Sequence, residues 1–202
     1  MNNKKIFKSF AIILLVLMMG VTIFSSCNKK NEVKISDMKI EELEEIVSLC
    51  KYKGVEFTLT DESKESAIIS YLEKNSEVSE YPEGVISYYT NQLKTQYGYY
   101  ADDVGMTYDE LIYALDMDID AEAKRLAKQD LILELIRKKE NITLSAEEKS
   151  EFLDRYVEKY AENYRYSEEY VREELLEIVY DSMLYDKTIE FLIINNSFSE
   201  NK

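Results

Sequence analysis

The chain has 202 residues, with 25 Lys and Arg against 40 Asp and Glu, a formal charge of −15 and no His. The length suits one domain or two small ones, and 46% hydrophobic with 32% charged residues is the composition of a folded chain. Without His, a His-based triad, a His-ligated zinc site and imidazole acid–base catalysis are all excluded. Two Cys cannot build a zinc ribbon or an iron–sulfur site. Five scattered Gly form neither GxGxxG nor a P-loop, and with one Pro they leave little turn material for a sandwich or barrel. An all-α fold is expected.

In chain order, Lys4, Lys5 and Lys8 precede a 15-residue apolar run from Phe10 to Phe24. A membrane-spanning helix needs about 20 apolar residues, so this run is short for a permanent span and suits a signal peptide. It leads into Phe24-Ser25-Ser26-Cys27, which resembles the bacterial lipobox, with Phe24 where Leu is usual. The resemblance implies cleavage before Cys27 and lipidation of its thiol, placing the chain on the extracytoplasmic face of the cell membrane. Two or more acyl chains give stable attachment. Residues 1–26 are therefore expected as a lipoprotein signal peptide, 27–38 as a polar tether and 39–202 as one helical domain. Processing removes three Lys and no acid, so the remaining 176 residues carry −18. That charge repels nucleic acid and anionic lipid surfaces. Cys50 is then left without a disulfide partner and is expected as a small buried side chain.

Beyond the tether, Leu43, Ile46, Val47 and Leu49 predict a short amphipathic helix over 40–49. Val55 to Leu59 alternates with period two, the one strand the sequence predicts. Thr60 or Asp61 is expected to cap a helix carrying Ala67, Ile68, Tyr71 and Leu72. Asn75 to Tyr81 reads as a linker. Pro82 reads as the first residue of a helix bearing Val85, Tyr88, Tyr89, Leu93 and Tyr97, which weakens near Gly98 and Gly105. Thr107-x-x-Glu110 and Ser145-x-x-Glu148 match the capping box. The first predicts one long helix through Leu111, Leu115, Leu126, Ile132 and Ile136, closing at the basic Arg137-Lys138-Lys139. The second predicts a helix with Phe152, Leu153, Tyr156, Val157, Tyr160 and Tyr164 on one face. Ser167 starts a last helix from Val171 to Ile193.

Three patterns imitate chemistry without supplying it. Asp116-x-Asp118-x-Asp120 opens like a calcium loop, but Ala121 stands where Gly is needed and Ala127 where the bidentate Glu is needed. A solvated acidic patch within a helix is the better reading. Paired carboxylates can be drawn almost anywhere among 40 acids, so they nominate no glycosidase site. Asn141-Ile-Thr143 fits a glycosylation sequon, which is uninformative beside a bacterial-type lipid signal.

Tyrosine is more informative. Seventeen Tyr with no Trp is a heavy load, and a Tyr ring can face water while gripping apolar peptide. The candidate binding residues are Tyr88, Tyr89, Leu93 and Tyr97 in one helix and Tyr156, Tyr160 and Tyr164 in another. Helix packing alone would account for any single one.

Several motifs then fall in a familiar order. Tyr81-Pro-Glu-Gly-Val-Ile resembles the segment that opens the helical C-terminal domain of trigger factor. Gly105-Met-Thr-Tyr-Asp-Glu-Leu resembles the start of that domain's next long helix. The stretch from Ala121 to Glu148, basic then aliphatic and closing through Lys139-Glu-Asn-Ile, is the strongest likeness. Lys187-Thr-Ile-Glu-Phe-Leu-Ile-Ile-Asn-Asn resembles the family's closing helix, and Tyr52-Lys-Gly-Val-Glu-Phe its linker strand. The likeness covers about 51–202. In the family an isomerase domain separates the stretches matching Leu72 and Tyr81, whereas here only Glu73 through Tyr81 joins them. A signal segment stands where the family has its ribosome-binding domain.

The resemblance implies an elongated, arm-bearing all-α fold of the trigger factor C-terminal or SurA-like kind, with at most one short strand. It implies a membrane-anchored chaperone that holds unfolded or newly secreted polypeptides without catalysis. No cofactor, metal, nucleotide or nucleic-acid partner is implied. A scaffold lipoprotein docking one dedicated partner is the alternative, and a residual prolyl isomerase ranks last.

Overall fold

The computed structural model describes the backbone of residues 34–164 and 166–200, and their side chains apart from 163 and 164. The signal segment, Cys27 and the first part of the tether lie outside the described residues. A 3-10 turn at Ile35–Asp37 is followed by α1 (Ile40–Ile46), β1 (Val47–Ser48), β2 (Glu56–Leu59), α2 (Lys64–Asn75) and β3 (Glu77–Val78). Then come α3 (Val85–Val104), α4 (Tyr108–Leu115), α5 (Ile119–Glu140), α6 (Ala146–Tyr164), α7 (Glu168–Glu174), α8 (Leu176–Ile194) and β4 (Ser197–Glu200). The all-α class holds. The expectation of at most one strand needs correction, because three short strands join the predicted β2. β1 pairs antiparallel with β3, and β2 pairs in parallel with β4. Neither pairing has a local signature: β4 supplies its half of the ladder from the far end of the chain.

The described residues form two compact units, a main unit of 34–143 with 184–200 and an inserted unit, Leu144–Met183. The main unit is built around α5, which packs against α1, α2, α3, β1 and the 3-10 turn. A helix surrounded in this way must be apolar on every side. Leu131, Ile132, Leu133, Leu135 and Ile136 meet that demand and are all buried. Glu134 is the exception, and it is satisfied: Arg137 donates to it at 3.0 Å and Lys138 at 3.1 Å. Ile35 is also buried, so packing begins within the stretch expected as tether.

Helix ends follow side-chain chemistry more finely than apolar spacing does. Thr107 Oγ1 accepts from the Glu110 N–H at 3.3 Å while Glu110 accepts from the Thr107 N–H at 2.8 Å, the reciprocal box expected. The helix it opens is short. Asp116 turns left-handed at φ 52° and closes α4, and the Asp118 carboxylate then caps α5, accepting from Asp120 and Ala121 N–H at 3.0 Å each. The acidic triplet is therefore a joint between two helices, not a patch within one. Asp tolerates the left-handed region and caps well, so it replaces the Gly that usually signals such a break. Asn141, the sequon residue, closes α5 in the same way at φ 52°.

Further boundaries move for similar reasons. α2 is capped by Ser63, not by Thr60 or Asp61. Pro82 lies in the turn before α3, whose cap is Gly84 at φ 86°. α3 runs through Gly98 undisturbed and ends at Gly105, φ 70°. Cys50 is half-buried, with the Ser76 hydroxyl donating to its Sγ at 3.3 Å.

In the inserted unit, Ser145 and Glu148 form the second capping box, at 2.7 and 3.1 Å. Val157, Tyr160, Val171, Leu175, Ile178, Val179 and Met183 make its core. The last predicted helix breaks at Leu175 (φ −116°, ψ 11°), which is buried among these residues, and so becomes α7 and α8. Among the described residues no helix is long and apolar enough to cross a membrane.

Candidate functional site

The tyrosines nominated by spacing are mostly structural. Tyr89, Leu93 and Tyr97 are buried in the main unit, facing the packing side of α3. The Tyr89 hydroxyl donates to Asp130 Oδ2 at 2.7 Å, and burial, then the Asp130 carboxylate, push its pKa well above the usual tyrosine value. Tyr97 is pushed up to about 12, by burial first and then by Glu122. Tyr88 is half-buried, edge-on to Tyr89 with ring centroids 5.2 Å apart. Tyr160 is in the inserted unit's core, its hydroxyl bonded to Ser182. Tyr156 is half-buried, with Arg155 and Lys159 each 5.7 Å from its ring centre. The Tyr164 side chain and Cys27 lie outside the described residues. Tyr89, Leu93, Tyr97 and Tyr160 thus form no surface strip, because the face that carries them is the face that packs.

Exposed apolar surface lies elsewhere. Each helical residue turns the chain by about 100°, so a residue two places from a buried one points nearly opposite. Tyr97 is buried and Tyr99 is exposed; Leu111 is buried and Tyr113 is 88% exposed. Val104, at the end of α3, is exposed as well. Asp109, Ile112, Tyr113, Asp116, Met117 and Asp118 line a shallow open concavity of about 430 Å³. Its apolar members come from one short helix and the joint after it, and its rim is three carboxylates. Apolar spacing could not find this surface, since it continues the helix through Asp116 and counts Tyr113 among ordinary helix positions. The inserted unit shows a smaller patch at the exposed Tyr170, stacked at a tilt on Tyr166 with centroids 5.0 Å apart.

The concavity offers apolar contact and negative charge, and it holds no nucleophile paired with a base. Among the described residues no carboxylate or thiol group of three or more could hold a metal ion.

The family described as the bacterial trigger factor protein C-terminus matches residues 39–194. The trigger factor of Caldicellulosiruptor bescii is 25% identical over 189 residues, covering 81% of this chain and 43% of the relative. The trigger factor of Caldicellulosiruptor saccharolyticus is 26% identical over 194 residues, with the same coverage of both chains. The chain therefore spans less than half the length of these curated relatives. No solved structure gives a significant match. The family match takes in α1 through α8, both compact units included, and the chain belongs to the family of the bacterial trigger factor C-terminus.

Proposed function

We propose that the protein is a membrane-anchored, extracytoplasmic chaperone that holds unfolded or newly secreted polypeptides without catalysis. The observation that carries this reading is the trigger factor C-terminus match on a chain that exposes an aromatic concavity at α4. The anchor rests on the basic and apolar segment before Ser25-Ser26-Cys27. A non-catalytic role is supported by the connection between α2 and α3. It is short and tied down, with Ser79 N–H donating to Ile46 O at 2.9 Å, while an independent domain needs about 50 residues.

A soluble 28–202 fragment is expected to suppress aggregation of several chemically unrelated clients and to leave proline-limited refolding unaccelerated. Tyr113→Ala is expected to raise the half-maximal ratio roughly fivefold, the equivalent of about 1 kcal/mol of lost contact. Its melting temperature should hold, because an exposed side chain contributes little to stability. A fragment that protects no client would sink the chaperone reading. Protection undiminished by Tyr113→Ala would move the site away from α4.

The anchor has its own test. Metabolic labelling with a fatty-acid probe should mark the wild-type protein and leave Cys27→Ser as an unlabelled precursor, because the thiol is the acyl acceptor. Equal label in both would remove the anchor.

A further inference from the structure

The inserted unit, 144–183, carries twelve Asp or Glu against five Lys or Arg, so a cation there has many carboxylates to pair with. Most of the described arginines pair with one. Arg125 pairs with Glu73 and Glu122, Arg137 with Glu134, and Arg172 with Asp154 at 2.7 Å. Among the described residues Arg155 pairs with none, although Glu151 stands four residues before it, a spacing at which helical ion pairs form. Its guanidinium lies instead 4.8 Å from the centre of the Phe152 ring and also over Tyr156. Lys159 shares the Tyr156 ring, and Lys149 lies 4.5 Å from the centre of Tyr180. Neither lysine has a described carboxylate partner. Positions 149, 152, 156 and 159 are three and four residues apart, so they share one face of α6. The three rings are half-buried against the insert's core, while Arg155 and Lys159 are exposed.

From this stripe, and resting on the client-holding role proposed above, we infer that the insert binds unfolded segments in which an Asp or Glu stands beside an aromatic or aliphatic residue. Two requirements are met in one place. Stacking occupies the flat face of the Arg155 guanidinium and leaves its in-plane N–H donors, the fork that grips a carboxylate. The same rings give the neighbouring apolar side chain a surface to lie on. The acids bordering the stripe narrow the choice of ligand. Glu148 is engaged by the Ser145 N–H and Asp154 by Arg172. Glu151, Glu158 and Glu162 remain exposed on α6. One carboxylate can reach the fork between them. A nucleic acid or an anionic bilayer brings many charges at once and meets the unit's whole excess of seven acids, twelve less five. The concavity at α4, with Asp109, Asp116 and Asp118 on its rim, repels the same acidic segments, so this selectivity belongs to the insert.

The test titrates the full protein, in phosphatidylcholine nanodiscs with empty discs as the blank, into fluorescent Gly/Ser peptides. Each peptide has a central Phe and Leu flanked by Glu or, in the control, by Gln, and binding is read by anisotropy. Arg155→Gln should weaken the Glu peptide about threefold, the scale of one exposed charge pair, and leave the Gln peptide unchanged. Arg155→Lys should recover only part of the loss, because it restores the charge without the fork. Circular dichroism checks the fold. Should Arg155→Gln unfold the insert, Lys159→Gln makes the same comparison, with a smaller loss expected. In a folded variant, a loss equal for both peptides, or none for either, would overturn the inference and leave the holding role standing. A wild-type protein that does not bind the Glu peptide overturns it too; if that protein also suppresses no client aggregation, the holding role falls with it.

Discussion

Above pH 10 the main unit is expected to lose stability through the hydroxyls of Tyr89 and Tyr97, with Tyr97 alone contributing about 2 kcal/mol by pH 12. Both side chains are almost wholly buried, and burial is the first cause of each raised pKa, with Asp130 second for Tyr89 and Glu122 second for Tyr97. The sign follows from the proton count. Below pH 10, folded and unfolded chains both keep these protons and stability is fully present. As the pH rises past 10 the unfolded chain gives them up while the folded chain retains them, so unfolding is favoured by about 1 kcal/mol per hydroxyl for each pH unit. For Tyr97 the loss levels off near pH 12, where the folded hydroxyl ionises too. Urea melts followed by circular dichroism should show a flat midpoint up to pH 10 and a steep decline above it. Tyr97→Phe should make that decline shallower, because Phe has no proton to lose. A slope unchanged in both Tyr97→Phe and Tyr89→Phe would assign the alkaline loss to other groups.

Arg137→Ala is expected to cost about 2–3 kcal/mol of folding stability, since it removes charge-assisted hydrogen bonds from a buried carboxylate and a buried hydroxyl. The Arg137 guanidinium holds three elements together. It donates to Glu134 on its own helix at 3.0 Å and to Thr188 Oγ1 on α8 at 3.1 Å, and it lies 3.9 Å from Asp130, which also receives the Tyr89 hydroxyl of α3. Glu134 and Thr188 are both buried. Without Arg137, Glu134 would keep Lys138 as its one recorded cation, and the bond joining α5 to α8 would be lost. Replacing both charges, as Arg137→Leu with Glu134→Leu, should recover much of the loss, since no buried carboxylate then loses a partner. Chemical denaturation of the three proteins decides the matter. A single variant within about 1 kcal/mol of wild type, the range of an exposed ion pair, would falsify the buried-pair account.

The parts of this fold legible in the sequence are those written in short-range chemistry. Thr107 with Glu110 and Ser145 with Glu148 announce two helix starts because both halves of each bond lie within one turn. Arg137, Lys138 and Lys139 announce the end of α5 through the helix dipole. The trigger factor likeness was carried by motifs of that local kind. What stayed hidden depends on conformations or partners that a pattern of apolar residues does not encode. The break at Asp116 needs a left-handed Asp, which is rarer than a Gly. Val47 and Val78 show no sign of each other until β1 and β3 pair. Tyrosine was ambiguous by nature, since one ring serves both core and surface. The packing partner of each face decides which, so Tyr97 went inside while Tyr99, two residues on, went out.

The parallel pair of β2 and β4 also sets an order of events during synthesis. Glu56 through Leu59 leave the ribosome early, yet they align with Ser197 through Glu200, and Phe57 stacks on Phe198 at 5.2 Å. The main unit therefore cannot finish folding until Ser197 to Glu200 have been made, and closure over so long a loop is slow. The inserted unit faces no such delay. Its residues are contiguous, its contacts are helical and local, and all of it precedes α8's second half. It can fold while the ends of the main unit are still apart. A chain delivered in one direction would thus complete the insert before Phe198 closes onto Phe57.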